Sequence, residues 1–188
     1  MERYNMFMLK VTDQISLKLL GQRDANELYD LVDDSRGNLR QWLPWVDSMI
    51  EPEQYGPIIS AWLEQFAAED GFQAGILFNG NLAGMAGFHS VNQANKQTSI
   101  GYWLAEPYQG NGIMTEVVRS LLDYAFDEYE LHRVEIRCGT GNEKSRAIPE
   151  RLGFIEEGVL RDAEFLYDHY HDIIVYSMLN EDWKKSRE

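Results

Sequence analysis

The run Tyr108-Gln109-Gly110-Asn111-Gly112-Ile113-Met114-Thr115-Glu116 follows the strand-like stretch Ile100-Gly101-Tyr102-Trp103-Leu104 and leads into an amphipathic segment. A loop in that place offers backbone N–H groups that have no partner inside the helix it starts. The helix dipole adds positive potential at the same end. Glycines at 110 and 112 let the backbone approach a ligand closely, so the loop suits a pyrophosphate. A glycine-rich helix start with no ligand explains the same residues equally well. Two other phosphate motifs fit worse. A P-loop closes on Gly-Lys-Ser/Thr, and no Lys stands here. A dinucleotide fingerprint needs a third glycine where this chain has Thr115, and an acidic residue ending the next strand, where it has Cys138.

Other candidates carry a plainer reading beside the functional one. Asn142 and Ser145 open a second helical stretch and, taken alone, read as its caps. Trp42 and Trp45 serve equally as core anchors or as the wall of a site. Cys138 reads as a small buried hydrophobe rather than a nucleophile. Asp168-His169-Tyr170-His171-Asp172 has the composition of a metal cluster. Alternation on a strand or turn accounts for it, and no further ligand pair has useful spacing, so no metal is expected.

The elements that must position these residues follow from periodicity. An opening strand is expected over 8–20, and a helix from Asp24 with Leu28, Tyr29 and Val32 on one face. Pro57 suits the first turn of a helix whose apolar face carries Ile58, Ile59, Trp62, Leu63 and Phe66. Asn79-Gly80 predicts a tight hairpin between strands at 72–78 and 82–89, with a third strand at 98–104. The helix after the glycine loop presents Met114, Val117, Val118, Leu121, Leu122, Ala125 and Phe126 as one stripe. A strand at 133–138, a helix at 142–152 closed by Gly153, and strands at 154–160 and 172–179 complete the order: hairpins first, then a strand–helix–strand crossover.

The 188 residues suit a single domain over 1–188, and 44% hydrophobic residues can bury a sizeable core. A net charge of −14 argues against a nucleic-acid partner and against an anionic membrane surface. It favours positively charged partners, although solubility alone explains it as well. One cysteine forms no internal disulfide. Met1-Glu2-Arg3-Tyr4-Asn5 begins no signal peptide, and no apolar run approaches the ~20 residues of a membrane span. A cytoplasmic location follows by elimination.

Gln109-Gly110-Asn111-Gly112 resembles the Q/R-x-x-G-x-G/A acyl-CoA signature of the GNAT superfamily of N-acetyltransferases. Asn142-Glu143-Lys144-Ser145 and Glu150-Arg151-Leu152-Gly153-Phe154 are similar to its N-x-x-S…E-[KR]-x-G-F stretch. Leu39-Arg40-Gln41-Trp42-Leu43-Pro44-Trp45 and Gly101-Tyr102-Trp103-Leu104 resemble the branch that acetylates N-termini of ribosomal proteins. The resemblance implies the GNAT-like acyl-CoA acyltransferase fold: mixed α/β, with a central mixed, mostly antiparallel sheet flanked by helices. It implies acetyl-CoA as co-substrate, with no metal. Trp103 and Leu104 would pair with the pantetheine arm, and the Leu104 N–H would polarise the thioester carbonyl. The stretch Gln109, Gly110, Asn111, Gly112, Ile113, Met114 and Thr115 would hold the pyrophosphate. Asn142 would bond the pantetheine or acetyl region, and Ser145 would protonate the departing thiolate. The acceptor would be a protein or peptide N-terminus. The alternatives are a small amine (polyamine, amino sugar or antibiotic) or a catalytically weak acetyl-CoA-binding module. A homodimer is an analogy with the superfamily.

The chain departs from the pattern in three places. Met114 replaces the third small residue of the loop and threatens to crowd it. Ser99 stands where many relatives have a glutamate base, which leaves His89 or a chain of waters for that role. Pro149 interrupts the 142–152 helix and removes its bond to the Ser145 carbonyl, with a kink near the reacting sulfur or no consequence. Between Gln41 and Asn95 there is no Lys or Arg, while Asp47, Glu51, Glu53, Glu64, Glu69 and Asp70 are acidic. The resemblance makes this stretch the acceptor side, so an acidic acceptor wall that attracts a cationic peptide is expected, the alternative being a solvated face.

Overall fold

The computed structural model describes residues 7–187; the opening residues that bear on a signal peptide lie outside them. The chain starts as an antiparallel pair, β1 (Met8–Lys10) and β2 (Ile15–Lys18), rather than as one strand over 8–20. Thr12 makes the break: its Oγ1 accepts from the N–H groups of Gln14 and Ile15 and turns the chain. Asp24 is the N-cap of α1 (Ala25–Asp34) but makes no side-chain cap bond. Its carboxylate turns back to Lys18 Nζ and to the Gly21 N–H, both at 2.8 Å. The short helix α2 (Arg36–Leu39) and the longer α3 (Tyr55–Ala67) follow. Pro57 sits in the first turn of α3, whose stripe buries Ile59 but leaves Leu63 exposed.

Strands β3 (Gln73–Phe78) and β4 (Asn81–Phe88) form the expected hairpin, with Phe78 opposite Asn81 across a two-residue turn. Asn79 and Gly80 both have positive φ, 50° and 83°, as that turn requires. Next come β5 (Gln97–Leu104), α4 (Ile113–Asp123) running into a π turn at Tyr124–Glu128, β6 (Arg133–Gly139) and α5 (Glu143–Leu152). Strands β7 (Ile155–Leu166) and β8 (His169–Leu179) form a long arm, and α6 (Asn180–Ser186) ends the order. The arm exceeds the strands expected at 154–160 and 172–179. Its extra length is largely exposed and mixes polar residues with Phe165, Leu166 and Tyr170, and its turn is made at Tyr167 (φ 61°) without glycine or proline. Helix α6 lacks an apolar stripe; its one buried side chain is Trp183, whose Nε1 donates to Asp123.

The eight strands lie in one sheet in the order β1-β2-β3-β4-β5-β6-β8-β7. Every neighbouring pair is antiparallel except β5–β6. Met85 and Ala86, adjacent on β4, feed two separate cores. One contains α1 and α3 residues such as Leu28, Val32 and Ile59; the other contains the α4 stripe, all of it buried. Burial of each such side chain contributes roughly 1.5–3 kcal/mol, which fixes α4, and with it the loop before it, against the sheet.

Candidate active site

The parallel pairing of β5 with β6 joins only Gln97–Ile100 to Arg133–Ile136. Beyond that point β6 keeps its partner β8, and among the described residues no ladder joins 101–104 to β6. The two central strands therefore splay. A cavity of about 710 Å³ opens there, lined by Gly101, Tyr102 and Trp103 on β5 and Arg137, Cys138 and Gly139 on β6. Asn142 and Ser145 enter from the start of α5, Trp42 and Trp45 from the segment after α2, and Leu160 and Glu164 from β7.

Asn142 is the N-cap of α5, and its Oδ1 accepts from the Ser145 N–H at 3.2 Å. The capping role is thus real, and the Asn142 amide nitrogen is left to donate to a ligand. The Ser145 Oγ lies 3.4 Å from the Tyr102 hydroxyl, which itself donates to the Ser145 carbonyl at 3.0 Å. Helix α5 runs through Pro149 without a break. Cys138 also lines the cavity, but burial pushes its thiol up to about 11, so it is no thiolate at neutral pH.

His89 reaches the cavity from the end of β4. A Cβ on Gly101 would stand 2.7 Å from its Nε2, so the imidazole occupies the space that glycine leaves. Burial, and secondarily the charge of Arg137, lower its pKa below the ordinary 6.5, which keeps it neutral. Ser99 is outside the cavity wall; its carbonyl accepts the His89 backbone N–H at 2.9 Å. The expected acidic wall is not formed by the acids of 41–95. None of the six lines the cavity; Asp47 pairs with Arg40 at 2.7 Å and Asp70 accepts from the Val91 N–H. The carboxylate that does line it is Glu164, bonded to His171 Nε2 at 2.7 Å, a residue the sequence reasoning missed. Only the β7–β8 register sets those two opposite each other. Among the described residues no group of three His, Cys, Asp or Glu stands together as a metal site.

The glycine loop lies past the end of β5, and neither it nor Leu104, the last residue of β5, lines the cavity. Gly110 and Gly112 have φ of 80° and 73°, a region that disfavours any side chain, and Gly112 is the N-cap of α4. Gly110, Asn111 and Gly112 are exposed, while Ile113, Met114 and Thr115 are buried. Met114 points into the core, so it does not crowd the loop. Thr115 Oγ1 accepts from Arg151 of α5 at 2.8 Å. The Gln109 amide donates to the Leu104 carbonyl at 3.0 Å and to Asn38 at 2.9 Å, and accepts from Lys144 at 3.0 Å.

Residues 14–155 match the family described as Acetyltransferase (GNAT) domain. The chain belongs to the GNAT acetyltransferase family. It is 41% identical over 180 residues to YdaF of Bacillus subtilis (strain 168), whose name assigns it provisionally to the ribosomal N-acetyltransferases. That match covers 95% of this chain and 98% of the relative. It is 31% identical to the ribosomal-protein-serine acetyltransferase of Escherichia coli (strain K12), covering 91% of this chain and 96% of that one. The crystal structure of the microcin C7 self-immunity acetyltransferase MccE, in complex with acetyl-CoA and AMP, superposes with a TM-score of 0.87 at 31% identity. It covers 91% of this chain and 95% of its own. In this GNAT acetyltransferase, Gln109 and Lys144 tie the glycine loop to α5, and so join the two ends of the site.

Proposed function

We propose that this acetyltransferase moves the acetyl group of acetyl-CoA onto the α-amino group at a protein N-terminus, in the cytoplasm, with a ribosomal protein as the first candidate acceptor. The observation that carries the proposal is the splay of β5 from β6. It leaves the backbone of Trp103 and Leu104 without a strand on one side. It also stands between a helix-start loop suited to phosphate and a cavity suited to an acceptor.

The residues fit acetyl-CoA, which supplies an activated thioester. The Leu104 N–H, which faces the open side while the Trp103 backbone pairs with Met85 on β4, takes the place of the missing ladder and meets the thioester end of the pantetheine arm. The Leu104 N–H polarises the acetyl carbonyl. The N–H groups of 110–115 hold the pyrophosphate, with the exposed glycines giving it room, while the Gln109 N–H is bonded to the Glu106 carbonyl. Asn142 donates its amide to the arm, and Ser145 bonds the departing sulfur. The acceptor nitrogen attacks the carbonyl carbon directly: a C–N bond forms, the C–S bond breaks, and the sulfur leaves as a thiolate. His89, neutral in the cavity, takes the proton in place of a glutamate at Ser99. An α-amino group titrates near ~7.7–8.0 against ~10.4 for lysine, so a modest base is enough.

A second reading, a small amine that bears a flat ring, draws on Trp42, Trp45, Trp62 and Trp103 around the cavity, and on the AMP bound in the MccE complex. Labelled acetyl transfer to matched peptides with free and blocked N-termini, beside a panel of small amines, separates the readings. Transfer to free α-amines alone is expected. Equal rates on blocked, lysine-bearing peptides overturn the α-amine assignment. Acetyl-CoA binding without transfer to any acceptor leaves a binding module.

A further inference from the structure

In an α-helix the N–H of residue 149 bonds to the carbonyl of residue 145. Proline has no N–H, so Pro149 leaves the Ser145 carbonyl without its helical partner. A carbonyl so placed needs a donor. Tyr102, 43 residues earlier on β5, supplies it: its hydroxyl donates to the Ser145 carbonyl at 3.0 Å. A phenol has one proton. With that proton committed to the carbonyl, the Tyr102 oxygen offers only lone pairs to the Ser145 Oγ, 3.4 Å away, and the serine hydroxyl must donate.

We propose that Tyr102 is a positioning residue for Ser145, and that Pro149 is what recruits it. The inference rests on the reading of Ser145 as the group that bonds the departing sulfur. The Ser145 residue is held at its N–H by Asn142, and at its carbonyl and its hydroxyl by Tyr102. The bond from Ser145 Oγ to Tyr102 is long and therefore weak. As negative charge grows on sulfur, the hydroxyl proton swings from the phenol oxygen to the sulfur at little cost, while the Tyr102–carbonyl bond stays in place. Burial pushes the Tyr102 phenol well above its ordinary 10.0, so it keeps its proton throughout the working pH range.

A double-mutant cycle with Tyr102→Phe and Ser145→Ala tests this in the full chain. Tyr102→Phe is expected to lower kcat roughly five- to tenfold, the size of one hydrogen bond, with the KM for acetyl-CoA nearly unchanged. In the double variant kcat should equal that of Ser145→Ala alone, because Tyr102 acts through Ser145. Pro149→Ala restores the N–H at 149, so Tyr102→Phe should cost about 2–4 °C of Tm beside Pro149 and clearly less beside Ala. That background also keeps the tyrosine variant folded if the single change does not fold. Wild-type kcat in Tyr102→Phe, or losses that multiply in the double variant, overturn the inference and leave Ser145 untouched. An equal Tm loss in both backgrounds overturns the part given to Pro149. Full activity in Ser145→Ala removes the underlying reading of Ser145, and the inference with it.

Discussion

The two ends of the site are built in opposite ways. The glycine loop is one continuous stretch, 109–115, whose shape is set by two glycines at positive φ and by the buried helix that follows. The cavity at the other end draws its wall from the segment after α2, the end of β4, the diverging end of β6, the start of α5 and the β7 arm. The loop needs only backbone N–H groups, which any residue but proline supplies once the glycines allow the turn. The cavity needs particular side chains from distant positions. Under the proposed function, such a division would let acceptor preference change by substitution in the wall without disturbing the donor end.

The largest expected effect is at the loop. Gly112→Val places a β-branched residue at φ 73° and sets a side chain where the proposed function puts the pyrophosphate. Saturating acetyl-CoA, worth ~2.7 kcal/mol at 100 Kd, should stabilise the wild-type protein in a thermal melt and leave the variant unmoved. A preserved shift would place the donor elsewhere. Next in size is His89→Gln, which should lower kcat by about 10², the lower end for acid–base catalysis, with the acetyl-CoA shift intact. Because burial and Arg137 hold the His89 pKa below 6.5, the base form persists at neutral pH and is lost only as pH falls below that value. The wild-type kcat should therefore show an acid limb below 6.5 that disappears in the variant; an unchanged limb assigns the base to another group.

Tyr167→Phe removes the hydroxyl that donates to the Leu43 carbonyl at 2.6 Å, between the two tryptophans of the acceptor wall. The loss of about 1 kcal/mol should raise the acceptor KM severalfold and leave the acetyl-CoA KM alone. Equal changes in both would erase the distinction between the two ends. The smallest effect belongs to a residue outside both. Hydrogen bonds from Arg133 and then Ser177 depress the Glu157 pKa from 4.5 to about 2. Its contribution is present above 4.5 and is lost as pH falls toward about 2. Solvent screening keeps it under about 1 kcal/mol. Glu157→Gln should flatten the acid side of the stability curve and leave both KM values as they were.

The same contrast decides what the sequence discloses. The loop was legible because positive φ demands glycine and a helix start demands free N–H groups, both local facts. The Asn79-Gly80 hairpin was legible for the same reason. Asn142 and Ser145 read on their own as helix caps and drew a chemical role only from the family resemblance, and the phenol that holds Ser145 lies 43 residues away with no local signature. The Glu164–His171 pair depends on a register shift between Leu160 and Glu164, which breaks the alternation a reader would follow. The acids of 41–95 misled for the converse reason: neighbours in sequence, they are engaged elsewhere or face solvent rather than the cavity.

The bond from Tyr167 to Leu43 spans 124 residues, and Arg40 stacks over the same ring at 4.5 Å. The hairpins β3–β4 and β7–β8 can form from neighbouring sequence, whereas this clasp needs both distant parts of the chain already in place. Closing so long a loop carries an entropic cost that grows with the separation it spans and is met only when the intervening sheet exists. The shape of this side of the cavity thus depends on the sheet that lies between the two ends of the clasp.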